Sequence, residues 1–236
     1  MKKYIKLLIL MAVAVATILI FTTFANAAIY TGKCGDNLKC TLDTSTGIMY
    51  ITGTGSMYNM EYAADAPWYG FDDYIKKVYV YDGVTSVGAT AFLGYSSLTE
   101  VVLADSVTSV GDAAFASCGK LQTVNLGNGV KTIGKQAFSA TSIDVITIPK
   151  SVTSIGNYAF GLNFNLKMVL YTGTKAQWNS ISIGTGNEPL TSAISFPTVK
   201  VTNVSLNRTG LSLYKGECYT LAAIVTPSNA DNKTLN

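Results

Sequence analysis

A pattern of 22 or 23 residues recurs along the middle of the chain and constrains its fold more than any other feature. The copies begin at Ile75, Leu98, Leu121 and Ile143, and a fifth opens with Leu166 and Val169 before it departs from the pattern. With each first residue counted as repeat position 0, position 13 is always glycine. Positions 16 and 17 are always Ala-Phe, at Ala91-Phe92, Ala114-Phe115, Ala137-Phe138 and Ala159-Phe160. Such a period is typical of stacked structural units that contact only their neighbours.

The apolar spacing within one copy predicts a strand. Positions 0, 3 and 5 are apolar, as in Leu98, Val101 and Leu103, and positions 9 and 12 are apolar as well. This spacing places one face of a short strand in a core, and steps such as Asp82-Gly83 supply turns. The Gly-x-x-Ala-Phe segment predicts about one helical turn, too short to be stable alone. Because one copy cannot bury its own apolar face, the copies must stack. The expected fold is a mainly β solenoid with a parallel sheet, short helical turns and capped ends.

The absence of histidine excludes several kinds of catalytic site. None of the 236 residues is histidine, so Ser-His-Asp sites, Cys-His sites and zinc sites with histidine ligands are not possible. The formal charge of +3 comes from Lys2, Lys3 and Lys6, because residues 28–236 carry 14 basic and 14 acidic side chains. A neutral chain has no electrostatic basis for binding nucleic acid or acidic lipid. We therefore predict no nucleic-acid partner.

Residues 1–27 are typical of a secretory signal peptide. A basic start at residues 1–6 is followed by an almost wholly apolar stretch over residues 7–24, and Ala25-Asn26-Ala27 provides small residues at the cleavage position. We expect cleavage between Ala27 and Ala28, a secreted protein and no membrane contact after cleavage. The alternative is an uncleaved membrane anchor, because the apolar stretch approaches the ~20 residues that span a bilayer.

Residues 28–74 predict an N-terminal β region that caps the first copy. The runs 38–43 and 48–53 flank Thr44-Ser-Thr-Gly47, which favours a hairpin. Cys34 and Cys40 could form a disulfide worth about 2 kcal/mol in an exported chain, or they could remain free thiols in adjacent strands. At the far end of the stack, Trp178, Ile181 and Ile183 can cover the last copy.

The copy at residues 143–160, Ile-Asp-Val-Ile-Thr-Ile-Pro-Lys-Ser-Val-Thr-Ser-Ile-Gly-Asn-Tyr-Ala-Phe, resembles the BspA-like bacterial leucine-rich repeat. The segments that precede and end such repeats are similar to residues 34–38, 51–57 and 66–69 and to residues 171–178 and 181–187. The resemblance covers about residues 30–196 and assigns the repeats and their terminal cap to residues 75–197. It implies a secreted or surface-displayed protein that binds other proteins, in some members as an adhesin.

Residues 198–236 resemble the first strands of a group 2 bacterial immunoglobulin-like domain. Alternating apolar residues occur over 199–206 and 219–225, but a sandwich of this kind needs ~100 residues. The Ig-like β-sandwich is therefore expected to be incomplete. The chain is either a fragment of a longer protein, which we favour, or it carries a vestigial unit.

Three functions are compatible with this organisation. The first is a non-catalytic interaction or adhesion module for a host, matrix or other bacterial surface protein. The second is a rigid stalk for a distal module such as a cell-wall or glycan hydrolase, and the third is an enzyme whose catalytic domain lies beyond Asn236. For the chain itself we predict no catalytic residue, no metal site, no cofactor and a monomer.

Strand alternation predicts where a partner would bind. If positions 3 and 5 face the core, positions 2 and 4 face solvent along the sheet. Tyrosine is a common interface anchor, and the open sheet of a solenoid is a usual docking surface. The alternative is ordinary sheet surface. The two columns, with Tyr81 beside them, are Lys77, Tyr79, Glu100, Val102, Thr123, Asn125, Val145, Thr147, Met168 and Leu170.

Overall fold

The structure is a computed structural model that describes residues 28–196 and the two strands 203–206 and 223–226. The expected signal peptide and most of the expected Ig-like unit lie outside these residues. Within the described ranges, no helix is long and apolar enough to cross a membrane.

The chain forms a parallel β-solenoid of about five turns. Its strands are β1 Ile29–Gly35, β2 Asn37–Asp43, β3 Ile48–Ser56, β4 Lys77–Val80, β5 Val84–Val87, β6 Glu100–Leu103, β7 Ser109–Val110, β8 Thr123–Asn125, β9 Thr132–Ile133, β10 Val145–Ile148, β11 Ser154–Ile155, β12 Met168–Tyr171, β13 Ser182–Ile183 and β14 Ile194–Ser195. A 3-10 helix covers Ala63–Asp65, and two short helices, α1 Lys175–Asn179 and α2 Glu188–Ser192, lie in the last turns.

Each repeat copy contributes one strand to each of two sheets. The front sheet contains the first strands of the copies: β4, β6 and β8 pair in parallel, and so do β10, β12 and β14. The back sheet runs in the order β5, β7, β9, β11 and β13. The parallel stacking predicted from the period is confirmed. β8 and β10 lie beside each other without ladder pairing, at the copy that is one residue shorter than its predecessors.

The N-terminal strands form an additional, irregular turn of the solenoid. β2 and β3 pair antiparallel with Asp43 opposite Ile48, so the predicted hairpin is present. β3 then pairs in parallel with β4 through its first half and with β5 through Gly55 and Ser56. Met49 lies beside Val78 in this pairing and is fully buried, so β3 fills the core column that position 3 fills in every copy.

The third side of each turn differs from the predicted helical turn. At positions 15 and 19 the backbone has positive φ, 51–57° and 56–80°, in all four copies. The N–H groups of positions 15, 17 and 19 donate to carbonyls of the next copy, as from Thr90, Phe92 and Gly94 to Asp112, Ala114 and Ala116 at 2.8–2.9 Å. A helical turn would direct its hydrogen bonds within one copy. The left-handed residues instead form a third ladder between copies, which we call the turn ladder.

A column of stacked rings runs through the core. Phe92, Phe115, Phe138 and Phe160 lie 5.4–5.5 Å apart between ring centroids with interplanar angles of 2–19°. Trp68 continues the column at 5.0 Å from Phe92. All five rings are fully buried, and offset stacks at this spacing add to the stabilisation from burial.

The last turn is built around aromatic residues and a capped helix. α1 begins after Thr174, whose Oγ1 accepts from the backbone N–H of Gln177 at 3.2 Å. The ring of Trp178 meets Tyr171 edge-on at 5.3 Å, and both side chains are buried. Beyond the solenoid, β15 Asn203–Leu206 and β16 Ala223–Thr226 pair antiparallel, and the assignment of residues 198–236 to an Ig-like unit stays a prediction.

Candidate binding surface

The outward face of the front sheet carries the predicted binding residues. Positions 3 and 5 are buried in every copy, and positions 2 and 4 are half-buried or exposed on the opposite face. The structure thus brings the predicted columns together on one face, with Lys77 beside Glu100 and Glu100 beside Thr123 in register. We call this face the front surface.

Polar contacts order the N-terminal end of the front surface. The Lys77 Nζ lies 2.6 Å from Glu100 Oε2, and the Tyr79 hydroxyl donates to Glu100 Oε1 at 3.2 Å. The hydrogen bond and the charge of Glu100 raise the pKa of Lys77 above its ordinary value. Glu100 therefore holds both neighbours in place.

Tyr50 joins this end of the front surface, and the sequence did not indicate it. Its ring centroid lies 6.1 Å from those of Tyr79 and Tyr81, with interplanar angles of 60° and 49°. The register of β3 against β4 places Tyr50 beside Tyr79. The sequence predicts a cap over residues 28–74, and only the parallel pairing of β3 with β4 reveals this neighbour.

The C-terminal end of the front surface is apolar. Val145, Met168 and Leu170 expose 42%, 45% and 38% of their accessible area. Between the two ends, a depression of about 370 Å³ is lined by ten residues that include Asn125, Asn128 and Thr147. The front surface thus changes from tyrosine and charge to aliphatic side chains along the solenoid axis.

A second exposed apolar cluster lies near the C-terminal end of the turn side. Tyr158, Leu162 and Phe164 are exposed, Phe164 by 86%, and they line a depression of about 340 Å³ together with Pro189. The first three copies carry small or polar residues at the equivalent positions 15, 19 and 21. This departure from the repeat pattern is the sequence feature that could have indicated the exposed cluster.

Side chains that could bind a metal ion do not cluster in the described part of the chain. Across residues 28–196 and the two later strands, no group of three or more His, Cys, Asp or Glu residues could hold a metal ion. Cys34 and Cys40 are unbonded and fully buried in the structure. The hydrogen bond between the two thiols, together with burial, raises the pKa of Cys34.

Residues 69–182 match the family described as the BspA type leucine rich repeat region, in six copies. The repeats are BspA-type leucine-rich repeats. Six copies exceed the four that the sequence period gave, and the match begins at Tyr69, within the irregular N-terminal turn. No protein with a curated description matches the sequence.

Solved structures of other leucine-rich repeat proteins resemble this chain. A leucine-rich repeat protein from Eubacterium ventriosum is 29% identical, with a TM-score of 0.49 over 62% of this chain and 45% of that one. The Treponema pallidum leucine rich repeat protein is 18% identical, with a TM-score of 0.45 over 64% and 81%. A leucine rich cell surface protein from Faecalibacterium prausnitzii is 19% identical, with a TM-score of 0.30 over 62% and 56%. This chain spans less than half of the Eubacterium ventriosum protein.

Proposed function

We propose that this leucine-rich repeat protein is exported and binds another protein through its front surface, without catalysis. The observation that carries the proposal is the composition of that surface, where tyrosine and exposed aliphatic side chains lie on one face of the solenoid along the repeats. Aromatic and aliphatic anchors of this kind dominate binding energy at protein interfaces. The partner would be a host, matrix or other bacterial surface protein, and the protein would act as a monomer on or near the cell surface.

Export has its own test. Intact-mass analysis of protein recovered outside the producing cells should give a chain that begins at Ala28. Retention of residues 1–27 in that material would reject cleavage and support the membrane-anchor alternative.

The docking face is tested with paired variants. A partner first captured from matrix or cell-surface proteins is purified, and its dissociation constant is measured with wild type, Tyr79→Ala and Val145→Asp. We expect each change to weaken binding by about tenfold, as for an interface anchor. Thr132→Asp adds the same charge at an exposed position of the back sheet and should leave affinity unchanged. Loss of binding with Thr132→Asp alone would place the interface on the back sheet.

The stalk function is the second candidate, and the continuous ring column favours it. Rings from Trp68 to Phe160 stack without interruption, and the ladders of the back sheet and of the turn side join successive turns, which suits a rigid spacer. Failure of the wild type to capture any protein would favour this function over docking.

A further inference from the structure

A small pocket lies at the N-terminal end of the front surface. It has a volume of about 350 Å³ and is lined by Tyr79, Val80, Tyr81, Asp82, Glu100, Val102 and Ala104. Tyr50 packs beside Tyr79 and Tyr81 from the neighbouring strand, with rings tilted by 60° and 49°. We call this the tyrosine pocket.

The charges that line the tyrosine pocket are both negative. Glu100 is already engaged by Lys77 and by the Tyr79 hydroxyl. Asp82 is exposed, and within the described part of the chain its carboxylate has no hydrogen bond or salt bridge. No lysine lines the pocket, so Asp82 is a carboxylate without a local counter-charge beside the ring of Tyr81.

The pocket lies in the acidic half of the molecule. Residues 28–120 carry ten acidic and five basic side chains, a net charge of −5, whereas residues 121–196 carry two acidic and five basic side chains, a net charge of +3. Because the turns stack in chain order, this asymmetry lies along the solenoid axis. The acidic half attracts cations and repels anions.

We propose that the tyrosine pocket binds a lysine or arginine side chain from a basic segment of the protein partner. Tyrosine ring faces attract a cation through their quadrupole, arginine above all, and Asp82 supplies the counter-charge. This inference rests on the proposed docking function and specifies the chemistry of the partner at one end of the front surface.

The probe is a dye-labelled octa-arginine peptide, and binding to the purified protein is followed by fluorescence anisotropy. We expect binding that weakens as ionic strength rises from about 0.05 M to about 0.5 M, because exposed charges are screened. Tyr81→Ala and Asp82→Asn should each raise the dissociation constant about three- to tenfold. An octa-glutamate peptide should not bind.

Two control variants separate the pocket from the general field. Asp73→Asn removes an exposed acid of the same half that does not line the pocket, and Tyr158→Ala removes an exposed tyrosine of the turn side. Both should bind octa-arginine nearly as wild type does. If all four variants lost the same affinity for octa-arginine, the pocket would hold no cation. The same conclusion would follow if Tyr81→Ala and Asp82→Asn lost no affinity.

Two further outcomes separate this inference from the docking function. A partner whose affinity falls with Val145→Asp but not with Tyr81→Ala or Asp82→Asn would keep the docking function and overturn the pocket. Octa-arginine binding that depends on the pocket, with no protein partner captured, would support the cation chemistry and remove the docking function. Choline that displaces octa-arginine from wild type and itself binds more tightly would overturn the assignment to a protein side chain.

Discussion

At the scale of single residues, repeat position 20 shows why chemically unlike side chains can occupy one buried column. Tyr95, Cys118 and Asn163 each donate to the backbone carbonyl of the ring residue in the preceding turn, at 3.2, 3.1 and 2.8 Å. The acceptors are the carbonyls of Trp68, Phe92 and Phe138. Thr141, the fourth member of the column, donates instead to the Phe138 carbonyl of its own turn at 3.3 Å. Each member thus adds a hydrogen bond to a buried carbonyl, which favours a donor at this position and tolerates different sizes.

Cys118 gives a direct test of that requirement. Its thiol is fully buried, and burial raises its pKa to about 12, so it stays a protonated donor at physiological pH. Cys118→Val should destabilise the protein by about 1 kcal/mol, because the Phe92 carbonyl loses the thiol and keeps only the longer bond from the Tyr95 N–H at 3.4 Å. Cys118→Ser keeps a donor and should cost clearly less. Urea unfolding of both variants measures the difference, and equal stabilities would contradict the explanation.

Cys34 and Cys40 are expected to form a disulfide in the exported protein. Both thiols are fully buried on adjacent antiparallel strands, and the bond forms once an oxidant such as a thiol oxidase removes two electrons and two protons. Closing so short a loop should add about 2 kcal/mol. Alkylation in denaturant without reductant, followed by intact-mass analysis, should find two fewer reactive thiols than after reduction. Full alkylation without reductant would show that both remain free.

At the scale of elements, the two ends of the turn ladder are closed by side chains. At the N-terminal end, the Trp68 Nε1–H donates to the carbonyl of Ala91 at 2.9 Å. At the C-terminal end, Asn187 Oδ1 accepts from the Phe160 N–H at 2.9 Å. In the internal copies, backbone groups of the adjacent turn make the equivalent bonds. Side-chain groups thus replace the peptide groups of the missing copies, which is how a solenoid meets the need for capping.

Substitution of Asn187 tests whether a side chain caps the C-terminal end of the turn ladder. Its Nδ2 also donates to the carbonyls of Gly156 and Gly184 at 2.9 and 2.8 Å, and the side chain is only 2% exposed. Asn187→Leu leaves the Phe160 N–H and the Gly184 carbonyl without partners, and the Gly156 carbonyl keeps only the Ala159 N–H at 3.3 Å, so it should lower the free energy of unfolding by about 3 kcal/mol. Asn165→Leu, at an exposed asparagine, is the matched control and should change little. The measurement is chemical denaturation, and similar losses in both variants would count against the cap.

At the scale of the whole molecule, one apolar core extends from Cys34 to Leu190. Every internal copy contributes to it in the same register, because Val78 pairs with Val101 and Val101 with Val124. Stability is then a sum over copies and their interfaces, and no single internal copy is indispensable.

Deletion of one copy tests this additivity. Removal of residues 98–120 joins Ser97 to Leu121, which occupies the same repeat position as Leu98. We expect a folded protein with lower stability and a smaller urea m value, because less surface is exposed on unfolding. Deletion of residues 98–109 shifts the register by half a copy and should abolish the cooperative transition. Circular dichroism with urea titration distinguishes the two, and a native-like transition for the half-copy deletion would refute the register argument.

The sequence by itself determined the repeat register, the core columns and the outward face of the front sheet. These follow from spacing, because side chains of a strand alternate and equivalent positions such as Phe92 and Phe115 stack when copies do. It did not reveal the left-handed turn ladder, the Asn187 cap or Tyr50. Each depends on a partner more than twenty residues away in the chain: the N–H of Thr90 needs the carbonyl of Asp112, and Tyr50 meets Tyr79 only because β3 pairs in parallel. Hydrogen bonds between turns leave no local periodic trace, and only the tertiary structure decided them.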